Sequence, residues 1–413
     1  MEKKKVLIVG ASAKEYALAE KFIENGCEVF VAPGNCRIKD IAQCVDIREE
    51  NVQELLEYVL ENAIDLTIVS SETAIKNDIA ELFQSNSQAI FAPSAKSAEM
   101  SLSRSAGKKF LYRLRIPTPR FSVYDKLQMA VDYLKNAPMP QVIRTDKTAN
   151  GCDRLVCTTF LTAKTFTEDL FAKGEEKVVF EDYVYGHEFT VYVVTDGYNA
   201  VHLATVANYK FAEDGDGGIL TSGTGAYTPD YKVSKEVEDA VMKNVINNAL
   251  QALEKRETPY LGILGVDCVL KDDDRFVVLD FKSFLSDHDA KAVLNLVDEN
   301  LYTLFEACSN GSFADDYDSI KISDCASVSA VLSTRTGGQI IDGLDIVESD
   351  VTPFALSKND YLEFETVEGR NLVLTKTAKT LSRARNGLYE DAELLNFAGK
   401  KYRTDICEQV EKF

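Results

Sequence analysis

Asp280 and Lys282 stand two residues apart at the end of the apolar run Phe276 to Phe281, a spacing that places both side chains on one face of a strand. Asp267 lies in an earlier run, Leu264 to Leu270, and the acidic turn Lys271-Asp-Asp-Asp-Arg275 between the two runs makes them a hairpin. Carboxylates on neighbouring strands can offer oxygens to a hard cation such as Mg²⁺. A protonated lysine has no lone pair to give, so Asp280 and Lys282 can equally form a local ion pair. A second acidic cluster, Glu181-Asp182 followed by Glu188, fits either a ligand-binding strand or the wet face of a half-buried one. His187, His202 and His288 are too few and too scattered for a metal triad or a catalytic dyad, and His288 reads as a surface residue.

The elements that must position these groups are legible from periodicity. Over the first hundred residues, short β-rich runs (Lys5 to Val9, Glu28 to Val31, Asp65 to Val69, Ala89 to Phe91) alternate with helical patterns at Ala13 to Asn25, Val52 to Asn62 and Asp78 to Gln84. Such alternation predicts a doubly wound parallel sheet, whose ligands sit beyond the carboxyl ends of the strands. The loops at those ends are Gly10 to Glu15, Ala32 to Asn35 and Ser70 to Thr73. Backbone N–H groups where the first loop enters its helix can cradle a phosphate, although a plain strand-to-helix turn has the same pattern. A helix from Ser94 to Arg115 ends at Ile116-Pro117-Thr118-Pro119, and a new unit begins there. Strands dominate from Lys177 to Ala207, a glycine-rich stretch runs from Gly215 to Tyr227, and helices follow at 234–255 and 289–308. The last ninety or so residues mix strands with a helix at 378–389, as in a small α+β domain.

Composition excludes several classes. The 413 residues carry 46 Lys and Arg against 66 Asp and Glu, a net charge of −20, which repels nucleic acid and anionic membranes. An anionic substrate would therefore need a locally positive pocket. No apolar run is long enough to span a bilayer, and the basic N-terminus leads into too few apolar residues for a secretory signal. The nine cysteines have no metal-site spacing, which fits a reduced, cytoplasmic setting with most thiols packed as small apolar groups.

The order of segments resembles the phosphoribosylamine–glycine ligase family of the ATP-grasp superfamily. The similarity runs through Val31-Ala-Pro-Gly-Asn35, Asp65-Leu-Thr-Ile-Val69 with Glu72, Ser103-Arg104, Lys108, Glu181-Asp182-Tyr183 and Gly186-His187-Glu188. It continues through Gly223-Thr-Gly-Ala-Tyr-Thr-Pro229, Gly338-Gln-Ile-Ile-Asp-Gly343, Gly369-Arg370 and Tyr402-Arg-Thr-Asp-Ile406. The resemblance implies a doubly wound N-terminal domain (1–100), an ATP-grasp domain (101–318) with a mobile lid near 121–187, and a small α+β domain (319–413). It implies an ADP-forming ligase that activates a carboxylate with ATP and Mg²⁺ or Mn²⁺ and passes it to an amine, as a monomer or homodimer.

Carried over position by position, the resemblance puts nucleotide phosphates on Arg104, Arg144 and Gly151, adenine on Glu181, Asp182, Tyr183 and Val184, and ribose on Glu188. It puts metal on Asp267 and Asp280, catalytic roles on Arg144 and Asp287, and substrate on Gly10, Lys14, Asn35, Glu72, Thr221, Gly223 and Gly225. Departures are equally plain. Cys152 stands for the lid lysine, Arg144 for another lysine, and Lys282 for a metal-binding asparagine. The substrate stretch that usually carries an arginine and Gly-Asp-Pro-Glu reads Phe284-Leu-Ser-Asp-His-Asp289. These changes leave a second expectation standing: a nucleotide-binding protein that has lost catalysis and serves as a sensor or partner.

Overall fold

The structure is a computed structural model describing residues 3–147 and 154–409. Its first sheet has the order β3-β2-β1-β4-β5 (Gln43–Cys44, Glu28–Pro33, Lys5–Gly10, Leu66–Val69, Ile90–Phe91), and every pairing is parallel. Val6 to Val9 and Leu66 to Val69 are fully buried, as strands covered on both faces must be. Helix α1 (Ala13–Glu24) leaves β1 through Gly10, whose φ of +147° suits glycine. A Cβ at Gly10 would also lie 2.4 Å from the Glu15 carboxylate, so this glycine makes room for a buried acid.

The helix expected from Ser94 to Arg115 is two helices, Ala95–Leu102 and α2 (Arg104–Arg113). Ser103 between them is extended, and its hydroxyl accepts the Ala106 N–H. Asp146 accepts the Ser105 N–H at 2.7 Å and the Ser103 hydroxyl at 3.1 Å. A serine whose side chain caps the next helix competes with the helical backbone ladder, and the break sets Arg104 at a helix start facing the site. The helix expected at 289–308 is likewise divided, into Ala290–Leu294 and Leu301–Asn310, with Asn300 capping the second.

Two antiparallel sheets complete the molecule. A four-stranded sheet has the order β6-β9-β7-β8 (Phe121–Tyr124, Val178–Asp182, Gln141–Thr145, Arg154–Cys157). The larger sheet uses β10 (His187–Gly197), β11 (Ala200–Glu213), β12 (Gly217–Thr228), β13 (Tyr260–Leu270), β14 (Phe276–Lys282), β15 (Ala326–Thr334), β16 (Asp350–Pro353) and β19 (Gly369–Ala378). A small hairpin, β17 (Leu356–Lys358) with β18 (Phe364–Thr366), stands apart from it. The eight strands run β14-β13-β10-β11-β12-β15-β19-β16, so those of the expected closing domain continue the central sheet. The glycine-rich stretch gave no strand signal of its own. It is β12 because β11 and β15 supply pairing on both sides, a tertiary effect that overrides local propensity. Among the described residues no helix is long and apolar enough to cross a membrane.

Candidate active site

The sheets enclose a cavity of about 780 Å³ whose wall draws on the first sheet's loops, α2, β7, β9 to β14 and the Arg370 end of β19. Of the residues expected at the nucleotide, Arg104, Arg144, Glu181, Asp182, Tyr183, Val184 and Glu188 all line it. Asp267, Asp280 and Asp287 do so too, as do Lys14, Glu72 and Thr221. Gly10, Asn35, Gly223 and Gly225 lie behind the wall. Asn35 donates to the Ala11 carbonyl at 2.9 Å, Gly223 packs on His288, and Gly225 packs on Ile406. Gly151 and Cys152 fall outside the described residues.

The end of the cavity where the nucleotide was expected is a network of buried ion pairs. The Arg144 Nε donates to Glu181 at 2.9 Å and its Nη1 to Asp280 at 2.6 Å. Arg104 reaches the same Asp280 oxygen at 3.2 Å, and the fully buried Lys108 lies 2.8 Å from Glu181. The Glu181 side chain is thus an internal counter-ion. Burial alone would raise the Asp280 carboxyl, but Arg144 and Arg104 outweigh it and hold the group down at about 2. One strand on, Asp267 sits between two lysines, Lys282 at 2.9 Å and Lys210 at 2.9 Å, and Lys210 also pairs with Glu188 at 3.0 Å.

The end of the cavity where substrate was expected gathers four acids around Lys14. Burial opposes the charge of Lys14, yet Glu15, Asp287, Glu72 and Glu49 raise its pKa well above the usual lysine range. Burial pushes the Glu49 carboxyl up, against the opposing hydrogen bond from the Ser71 hydroxyl. Asp287 accepts the Lys14 backbone N–H at 3.2 Å and the Ser12 hydroxyl, so an internal carboxylate sits where a phosphate cradle was expected. Opposite, Arg370 stacks on Phe354 with its guanidinium carbon 4.0 Å from the ring centroid. Burial lowers its pKa while Asp287 raises it. The sequence offers Arg370, in Gly369-Arg370, no role of its own. Its signal was faint because only folding carries it from β19 to the loop after β14. His288 corrects the expectation of a surface residue: it is 1% exposed, bonded through Nε2 to Asn208 at 3.0 Å, and burial keeps it neutral.

Residues 4–101 match the model of the phosphoribosylglycinamide synthetase N domain, and residues 102–290 match its ATP-grasp (A) domain. A phosphoribosylamine–glycine ligase of Halalkalibacterium halodurans is 30% identical over 97% of this chain and 96% of its own. The chain belongs to the phosphoribosylamine–glycine ligase family. A second ligase, from Caldanaerobacter subterraneus subsp. tengcongensis, is 28% identical over 98% of this chain and 99% of its own. The crystal structure of the Thermotoga maritima ligase superposes with a TM-score of 0.81 at 24% identity, covering 97% of this chain and all of that one. The biotin carboxylase domain of Hydrogenobacter thermophilus 2-oxoglutarate carboxylase, solved with MgADP and bicarbonate, gives a TM-score of 0.73 at 13% identity over 97% and 92%. This family member is an ATP-grasp carboxylate–amine ligase, and the family implies ATP and a divalent cation.

The donor set does not fit a metal held by the protein. Both Asp267 oxygens accept from lysines, one Asp280 oxygen accepts from two arginines, and no group of three acids, histidines or cysteines among the described residues could enclose an ion. Asp267 and Asp280, expected as ligands, are instead ion-paired in this arrangement.

Proposed function

We propose that this protein is an ADP-forming ligase of purine biosynthesis that joins glycine, or a related small amino acid, to a phosphoribosylamine-like amine. The observation that carries it is a single cavity joining a cationic nucleotide end to an acidic substrate end, in a chain collinear with the family throughout. The amino-acid carboxylate attacks the terminal phosphorus of ATP, ADP leaves, and the amine then displaces phosphate from the acyl phosphate to form the amide. Charge develops on the transferring phosphoryl group, so donors must already stand there. Arg104 and Arg144 are that pair, the 181–184 backbone holds the base, and Glu188 accepts from the ribose. Arg370, with Lys14, anchors the anionic group of the substrate in place of the arginine that Phe284 replaces. Glu49 and Glu72 suit hydroxyls or an ammonium group. The setting is cytoplasmic.

The test is ADP release from ATP and Mg²⁺ with phosphoribosylamine generated in situ, across a panel of amino acids, beside an Asp280→Ala control. Turnover that needs the amine and one amino acid, and is lost in the control, supports the reading. No ADP under any combination would favour the catalytically silent alternative.

A further inference from the structure

Lys282 is built into the central sheet rather than left over on its surface. It is the last residue of β14, on the same face as Asp280, and opposes Gly265 on β13. A Cβ at Gly265 would lie 2.6 Å from the Tyr192 ring and 3.1 Å from the Lys282 Cβ, so a glycine keeps that space open. The ammonium group lies 2.9 Å from Asp267, within 3.4 Å of both the Thr190 and Tyr192 hydroxyls, and 5.7 Å from the Tyr192 ring centroid. Thr190 is in turn held by Asn208 at 2.7 Å while donating to Asp267. On the other Asp267 oxygen stands Lys210 from β11, which also bridges to Glu188 of β10.

Four adjacent strands thus carry one chain of ion pairs, Lys282–Asp267–Lys210–Glu188. With Arg104, Lys108 and Arg144, five cations gather around Glu181, Glu188, Asp267 and Asp280, with Asp289 close to Lys282, in a protein whose net charge is −20. Fixed cations gathered along one cavity wall are what a polyphosphate requires. A divalent ion at Asp267 would need oxygens that both lysines occupy, and an ammonium group cannot ligate.

We propose that Lys282 and Lys210 take the place of a metal ion at Asp267, so that this site binds a nucleoside polyphosphate without a divalent cation held by the protein. The inference rests on the reading of the cavity as a nucleotide site, and it concerns only how that site is made positive. One ammonium, fixed by Asp267, Thr190 and Tyr192, offers charge at the phosphates with no ion to recruit. An ion that arrives on the nucleotide itself is not required for binding.

The full-length protein is titrated with ADP by calorimetry in EDTA and again in excess Mg²⁺, as wild type and as Lys282→Asn. The wild-type affinity should differ by less than about threefold between the two conditions, roughly 0.65 kcal/mol. Lys282→Asn, which replaces the ammonium with a group able to ligate, should bind at least about tenfold more weakly in EDTA and recover in Mg²⁺, a swing of roughly 1.4 kcal/mol. Wild-type binding that needs Mg²⁺, or a variant equal to wild type in EDTA, overturns the proposal while leaving the nucleotide reading intact. No ADP binding in either condition overturns both. Mn²⁺ paramagnetic resonance on the wild type needs no variant: at saturating ADP, two bound ions per chain would sink the idea, whereas one or none supports it.

Discussion

The Asp287 carboxylate accepts the backbone N–H of Lys14 at 3.2 Å, so an anion from the loop after β14 occupies the N-terminus of α1. The contact joins parts of the chain 273 residues apart.

Removing that charge should act on stability and on ligand affinity in opposite senses. Asp287→Asn loses an ion–dipole interaction worth about 0.3–1 kcal/mol and should lower the melting temperature slightly. The same variant should bind inorganic phosphate more tightly, by several-fold, because a like charge has left the helix end. Thermal shift against a phosphate series reads both effects. Unchanged phosphate protection would mean that Asp287 does not guard this terminus.

Arg370 makes a sharper kinetic prediction. A charge-assisted hydrogen bond contributes about 1.5–3 kcal/mol, so Arg370→Ala should lower kcat/KM for the anionic substrate by roughly 10- to 100-fold. The KM for ATP should stay within about twofold, since Arg370 stands at the other end of the cavity. Arg370→Lys keeps the charge but loses the planar fork and should recover only part of the activity. A loss that falls equally on ATP would assign Arg370 to general packing.

Much of this was legible in the sequence, for reasons that can be stated residue by residue. Val6 to Val9 and Leu66 to Val69 declare buried parallel strands because no polar residue larger than threonine interrupts them. Asp280 and Lys282 declare a shared face because strand periodicity is fixed. What stayed hidden depends on partners distant in sequence. Lys210 and Arg370 are ordinary basic residues until β11 and β19 bring them to the cavity. The break at Ser103 depends on Asp146, forty-three positions later. His288 is buried because Gly223 of β12 packs over its ring, which a polar local sequence cannot announce.

The Glu181 network should be a stability element as much as a functional one. Glu181 neutralises Arg144 and the fully buried Lys108, and truncating one partner of a buried pair leaves uncompensated charge. Glu181→Ala should therefore cost about 3–5 kcal/mol. Denaturant unfolding monitored by tyrosine fluorescence or far-ultraviolet dichroism measures it. A cost below about 1 kcal/mol would show that water reaches Lys108 and that the pair is not sealed.

Asp289 supplies a pH dependence of unusual sign. Burial pushes its carboxyl up to about 6, against the opposing pull of Lys282, while it accepts from the Tyr192 hydroxyl at 2.8 Å and the Ser286 N–H at 2.9 Å. An unfolded aspartate titrates near 3.9, so between about pH 4 and 6 the folded state holds more protons than the unfolded one. Stability from this group must then fall as pH rises through that window, by about 3 kcal/mol in all, and level off above it. Asp289→Asn lacks the titrating group and keeps a side-chain oxygen for Tyr192. The unfolding free energy of wild type minus that of the variant should drop by roughly 2–3 kcal/mol between pH 4 and 7, with other titrating groups cancelling in the difference. A difference that stays flat across the window would place Asp289 in contact with solvent and remove it from the buried cluster around Lys282.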